Sequence, residues 1–119
     1  MPDYHGYPTK RELKKIKRYR GTLPGFFDYV ANLWVNGAGV IDEEYEDEWG
    51  NKNLRITFIT GGWSGCEETI GVVLKTTASL FTHSKWERGG LYEFDLTEMQ
   101  RNLEPMFWGY LKYAPKESK

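Results

Sequence analysis

The stretch "LFTHSKWERGGLYEFDL", residues 80–96, limits the fold more than any other part of this chain. Two runs of β-formers flank Gly89-Gly90, and a link that short joins strands only in antiparallel fashion. Two registers compete. A two-residue loop puts Glu87, Lys85 and His83 on the same face as Tyr92, Phe94 and Leu96. A three-residue loop, Arg88-Gly89-Gly90, pairs Trp86 with Tyr92, Ser84 with Phe94 and Thr82 with Leu96. The other face then sets Lys85 against Glu93 and His83 against Asp95. The second register separates apolar from charged residues and matches opposite charges across the strands, so it is the expected one.

A second hairpin is expected over residues 40–48 and 54–61, joined through "WGNKN". Its first strand has no cleanly apolar face, because Asp42 to Glu48 holds six acids in seven positions. Such a strand suits a sheet edge, where its charges discourage pairing with other chains. The second strand, with Leu54, Ile56 and Phe58 on one side, suits a central place.

Four helical segments surround these strands. Thr9 and Glu12 form a T-x-x-E capping box ahead of Leu13, Ile16 and Tyr19. Pro24 suits a first helical turn, and Phe27, Val30, Ala31 and Trp34 follow at helical spacing up to Asn36-Gly37. Ser64 and Glu67 make another capping box. From there Ile70, Val73, Leu74, Thr77 and Phe81 keep helical spacing, but Gly71 and Thr76-Thr77 weaken the segment, which should end before about residue 80. Thr97 and Gln100 cap a last helix in which Met99, Leu103, Met106, Phe107, Tyr110 and Ala114 share a face across Pro105, a kink or break. The order α-α-β-β-α-β-β-α predicts an α+β fold: an antiparallel sheet of about four strands with helices on one face. The 119 residues suit a single domain, with an irregular arm over 1–8 and a tail over 115–119.

Composition excludes several functions. The formal net charge of −1 gives little whole-molecule attraction to nucleic acid or anionic lipid. One cysteine, Cys66, rules out an internal disulfide and a thiolate metal cage, and fits a reducing cytoplasm. The N-terminus has no apolar signal region, and no apolar run reaches membrane-spanning length.

Candidate chemistry is sparse. "GWSGC" nearly matches the serine nucleophile elbow, yet Cys66 stands where the last glycine belongs. Its partners would be His83 and Asp95, and nothing in the sequence brings them to Ser64. A helix cap explains Ser64 and Glu67 more fully. Glu67 and Glu68 oppose both an anion at that helix start and activation of the Cys66 thiol. His5 and His83 are the only histidines, and the acid run lacks the ligand spacing of a calcium loop. The sequence therefore implies no catalytic set, no cofactor and no metal.

The strongest binding signal is basic. Lys10, Arg11, Lys14, Lys15, Lys17 and Arg18 fill an arc of about 160° opposite Leu13, Ile16 and Tyr19. Such a face is a solvated surface or a dock for a phosphate backbone or an acidic protein. Tyr4, Tyr7 and Tyr19 lie close by in sequence and offer rings for stacking on bases.

At "TGGWSGCEE" and "WERGGLYEF" the chain resembles a group of small uncharacterised bacteriophage and prophage proteins. They share T-x-G-W-S-G-x-E and, some twenty residues on, R-G-G-x-Y-x-F. The matching positions are Gly62, Trp63, Ser64, Gly65, Glu67, Arg88, Gly89, Gly90, Tyr92 and Phe94, within residues 54–94. Cys66 replaces a more usual asparagine, and Leu91 a common histidine. The resemblance implies a phage setting and no chemistry. The expectation is an accessory protein in the host bacterial cytoplasm that binds a host or phage macromolecule, protein or nucleic acid. Inhibition of host defence, with the acidic edge imitating nucleic acid, belongs to this class. The alternatives are a nucleic-acid module built on the basic helix and, further off, a small hydrolase around Ser64.

Overall fold

A computed structural model describes residues 8–34, 39–61 and 64–108. Along the chain run α1 (Lys10–Lys17), β1 (Arg20–Gly21), α2 (Leu23–Ala31), β2 (Val40–Glu46), β3 (Lys52–Ile59), α3 (Ser64–Val73), α4 (Thr77–Thr82), β4 (His83–Glu87), β5 (Leu91–Leu96), α5 (Glu98–Arg101) and β6 (Met106–Phe107). Four strands form an antiparallel sheet in the order β2-β3-β5-β4, and β1 pairs separately with β6. This is the predicted α+β architecture, with the acidic strand at an edge.

The core lies on one face of that sheet. Ile56 and Phe58 of β3 and Tyr92, Phe94 and Leu96 of β5 meet Phe26, Phe27 and Val30 of α2, Trp34 just after it, and Ile70 and Val73 of α3. Phe27 sits 5.1 Å from Phe94 and 6.4 Å from Phe58, and Trp34 sits 4.8 Å from Phe58, between ring centres. Burial of each such ring contributes on the order of 2 kcal/mol.

Threonine hydroxyls open the helices. Thr9, Thr22, Thr76 and Thr97 accept from the backbone N–H groups of Glu12, Gly25, Ser79 and Gln100. Thr9 and Thr97 complete the predicted reciprocal boxes. Each such cap is worth about 1 kcal/mol.

The structure departs from expectation at the α3–α4 junction, in the last helix and in the β4–β5 hairpin, and also at the Ser64–Glu67 box described below. The helix from Ser64 stops at Val73, and a new one starts at Thr77. Thr76 makes both ends: its hydroxyl donates to the Val73 carbonyl at 2.6 Å and accepts from Ser79 N at 3.2 Å. A residue read as a weak point inside a helix is instead a cap between two.

The last helix is only four residues long. The residue before a proline is pushed out of helical geometry, and Leu103, Glu104 and Pro105 are not helical; a strand, Met106–Phe107, follows them. Arg20 and Gly21 then pair with Phe107 and Met106. Met99 and Met106 are exposed, and Trp108 is buried in their stead. Trp108 is anchored by its backbone N–H on Tyr19 O and its ring N–H on Gly21 O, both at 3.0 Å. Tyr110, Ala114, Asn36-Gly37, the arm through residue 7 and the tail lie outside the described residues.

The hairpin follows the three-residue-loop register near its tip, with Glu87 opposite Leu91, Trp86 opposite Tyr92 and Lys85 opposite Glu93. An irregularity between His83 and Lys85 then shifts the pairing, so His83 faces Phe94 and not Asp95. Ser84 is the extra residue, its hydroxyl donating to Glu93 O at 3.2 Å, and Thr82 closes α4 instead of facing Leu96. The shift lays the His83 ring 5.1 Å from the Phe94 ring.

Candidate functional site

The basic residues sit where the helical period places them. Ile16 is buried and Leu13 half-buried against the core, which turns the opposite face of α1 outward. Lys10, Arg11, Lys14 and Arg18 are exposed, and none of them forms an ion pair among the described residues. Lys15 is exposed too, its ammonium 5.0 Å from the centre of the Tyr29 ring. Lys17 is half-buried. Among the described residues Lys10, Arg11, Lys14 and Arg18 do not pair with the acidic edge: there Glu44 takes Arg101 at 2.6 Å, while Asp42, Glu43 and Glu46 stay exposed.

The motif residues come together for a structural reason. Ser64 is exposed and is itself the first residue of α3. Glu67 does not close a box with it. Its carboxylate accepts the hydroxyl of buried Thr60 instead. Thr60 in turn donates its N–H to Gly90 O at 2.9 Å. Gly90 has φ +93° and lies hard against the Thr60 side chain, so a side chain there would meet both strain and a clash. Thr60, Glu67 and Gly90 thus lock the tip of the β4–β5 hairpin to the start of α3. Gly89, with φ +99°, supplies the left-handed loop position. Arg88 is exposed and makes no salt bridge to Glu67. Tyr92 is buried in the core. Trp63 and Gly62 lie outside the described residues.

No triad forms among the described side chains. His83 places its Nε2 3.1 Å from Lys85 O, Asp95 accepts from Arg55 at 2.9 Å, and no hydrogen bond joins either to Ser64. Cys66 is buried. Among the described residues no group of three His, Cys, Asp or Glu side chains is placed to hold a metal ion, and no helix is long and apolar enough to cross a membrane. His5 lies outside them.

Two surfaces escaped the sequence reading. The face of the sheet away from the helices carries Arg55, 2.9 Å from Asp95 and 3.6 Å from Glu93, with its guanidinium 4.8 Å from the Tyr45 ring centre. The cross-strand register that builds this cluster joins residues forty apart, which no local pattern reveals. A second surface is an apolar cleft of about 260 Å³ among Leu23, Phe81, Leu103, Met106 and Trp108. Assigning Leu103 and Met106 to one helical face hid it.

Comparison with protein-family profiles, with curated proteins and with solved structures gave no match.

Proposed function

We propose that this chain is a binding protein whose working surface is α1, and that its partner is a polyanion, the phosphate backbone of a nucleic acid. One observation carries the reading: Lys10, Arg11, Lys14 and Arg18 stand exposed on one capped helix with no ion pair among the described residues. Cations already paired within a protein lose that pairing on binding, whereas these do not. Phosphates docked on them release condensed counterions, which drives association and makes it salt-dependent. Such contacts position a protein on a strand without reading its sequence. In the phage setting that the resemblance implies, this describes an accessory protein acting on a host or phage macromolecule in the bacterial cytoplasm.

A second reading rests on the exposed acids Asp42, Glu43 and Glu46 of β2. They offer a row of negative charge to a basic protein, the arrangement an inhibitor of host defence that imitates nucleic acid would use. A hydrolase around Ser64 has no such support, since His83 and Asp95 are engaged elsewhere.

Fluorescence anisotropy of labelled single- and double-stranded oligonucleotides, titrated with the full chain, separates these readings. With about four phosphate contacts, affinity falls about a hundredfold between about 50 and about 200 mM salt. The double variant Lys14→Glu/Arg18→Glu abolishes binding while its circular dichroism stays that of the parent. Unchanged affinity in that variant, or no salt dependence, overturns the assignment. Loss of function on Asp42→Lys/Glu43→Lys, with α1 intact, favours the acidic edge.

A further inference from the structure

We propose that two copies of this chain associate through β4, pairing antiparallel about a two-fold axis at Trp86 so that their sheets become continuous. Every residue of His83–Glu87 is exposed, and among the described strands only β5 pairs with β4. Trp86 lies opposite buried Tyr92, so it points to the helix-covered side of the sheet, yet it is 58% exposed. The apolar face of the sheet therefore runs on past the helices and ends at an open edge.

The order Lys85-Trp86-Glu87 is complementary to itself when reversed. Lys85 and Glu87 already pair within one copy at 2.9 Å on the open face. Centred on Trp86, the association also sets Lys85 of each copy against Glu87 of the other, joining the two pairs into one four-charge cluster, with one Trp86 ring against the other beneath. Opposite charges and aromatic pairs facing each other across antiparallel strands are the stabilising combinations. An axis at Lys85 would oppose lysine to lysine, which disfavours that register. Trp86 is also on the regular side of the bulge at Ser84, so the pairing need not cross the distorted stretch. Pairing over Lys85–Glu87 alone buries less than the roughly 1,200 Å² of a specific interface. Leu80 and Phe81, 63% and 58% exposed on the helix leading into β4, supply further apolar surface beside the other copy's Arg88–Gly90 loop. The contact uses the same patch on both copies, as a closed dimer requires. The other edge offers no equivalent: Asp42, Glu43, Glu44 and Glu46 would set acid against acid.

Sedimentation equilibrium of the full chain over a range of concentrations tests this. The parent is expected to show a reversible monomer–dimer equilibrium. Lys85→Glu puts acid against Glu87 twice and weakens the dimer at least about tenfold. Glu87→Lys does the same with two basic contacts. The swapped double variant, Lys85→Glu/Glu87→Lys, is self-complementary again and recovers the parent's dimerisation. Trp86→Ser also weakens it at least about tenfold, by loss of the buried ring pair. All three side chains replaced are exposed, and a thermal melt of each variant confirms the fold. A monomer at every concentration overturns the proposal. So does a dimer indifferent to Lys85→Glu and Trp86→Ser, or a double variant no better than the singles. None of these residues belongs to α1, so failure here leaves the polyanion reading standing.

Discussion

Among the described strands, β2 and β4 each leave one side of their backbone without a neighbour in the sheet, and both are exposed along most of their length. They differ in what they present. β2 carries four acids, Asp42, Glu43, Glu44 and Glu46, and repels a strand of its own kind. β4 alternates signs and carries a large aromatic ring. Exposure alone therefore does not define an edge; the sign and order of its charges do. The edges are also secured differently. β2 joins β3 through a turn held by one carboxylate: Asp47 accepts from the N–H groups of Trp49 and Asn51 at 2.9 Å each and from the side chains of Asn51 and Asn53. β4 is secured from beneath, by the Phe94 ring under His83 and by the Thr60–Gly90 lock at its tip.

The largest expected effect breaks what both edges share. Phe94→Ala removes a fully buried ring in contact with Phe27, Phe58 and His83, and should cost about 3–5 kcal/mol by denaturant unfolding. Native-state hydrogen exchange should show β4 amides losing protection before those of β2; equal loss at both edges would erase the distinction drawn above. Gly90→Ala should cost about 1–3 kcal/mol, because a positive φ and the Thr60 side chain both reject a methyl group. Its exchange signature should again fall on β4 and β5 and spare β2.

The smallest effect sharpens the comparison from the other side. The Asn51 backbone N–H, with the Asn53 side chain and the Trp49 N–H behind it, holds the Asp47 carboxyl below its ordinary pKa. A group depressed in the folded state stabilises above its unfolded pKa and loses that contribution as pH falls through the folded one. Protection of β2 amides should therefore drop on acidification below the ordinary aspartate range, earlier than protection of β4. Asp47→Asn should flatten that dependence, and an unaltered acid profile would remove Asp47 from the account of this edge.

What the sequence revealed and what it hid follow from the range of each interaction. Capping boxes at Thr9 and Thr97 are legible because cap and acceptor lie three residues apart. The loop of the β4–β5 hairpin is legible for the same reason: Lys85 and Glu93, and Trp86 and Tyr92, are near neighbours across a short turn. The bulge was not, since it answers to a ring contact between His83 and Phe94 that charge matching with Asp95 conceals. Thr76 was misjudged because a threonine weakens a helix interior and strengthens a helix end, and only tertiary packing decides which applies. At the motif, the pattern Ser64…Glu67 had the spacing of a cap, but Thr60, seven residues before Glu67, claimed the carboxylate. The exposure of Lys10, Arg11, Lys14, Lys15 and Arg18 was legible because helical period alone orients them, whereas Lys17, placed on the same arc, is half-buried.

The short ladder between β1 and β6 has a bearing on how the molecule is made. A strand near the start of the chain finds its backbone partner only in residues near the far end of the described fold. On the ribosome, Arg20 and Gly21 must wait unpaired until Met106 and Phe107 have been translated and released from the exit tunnel, and Trp108 cannot seat itself on Tyr19 and Gly21 any sooner. Closing so long a loop is entropically slow. Of the ladders described, this one spans the most sequence, and it cannot close before nearly all of the described fold has been made.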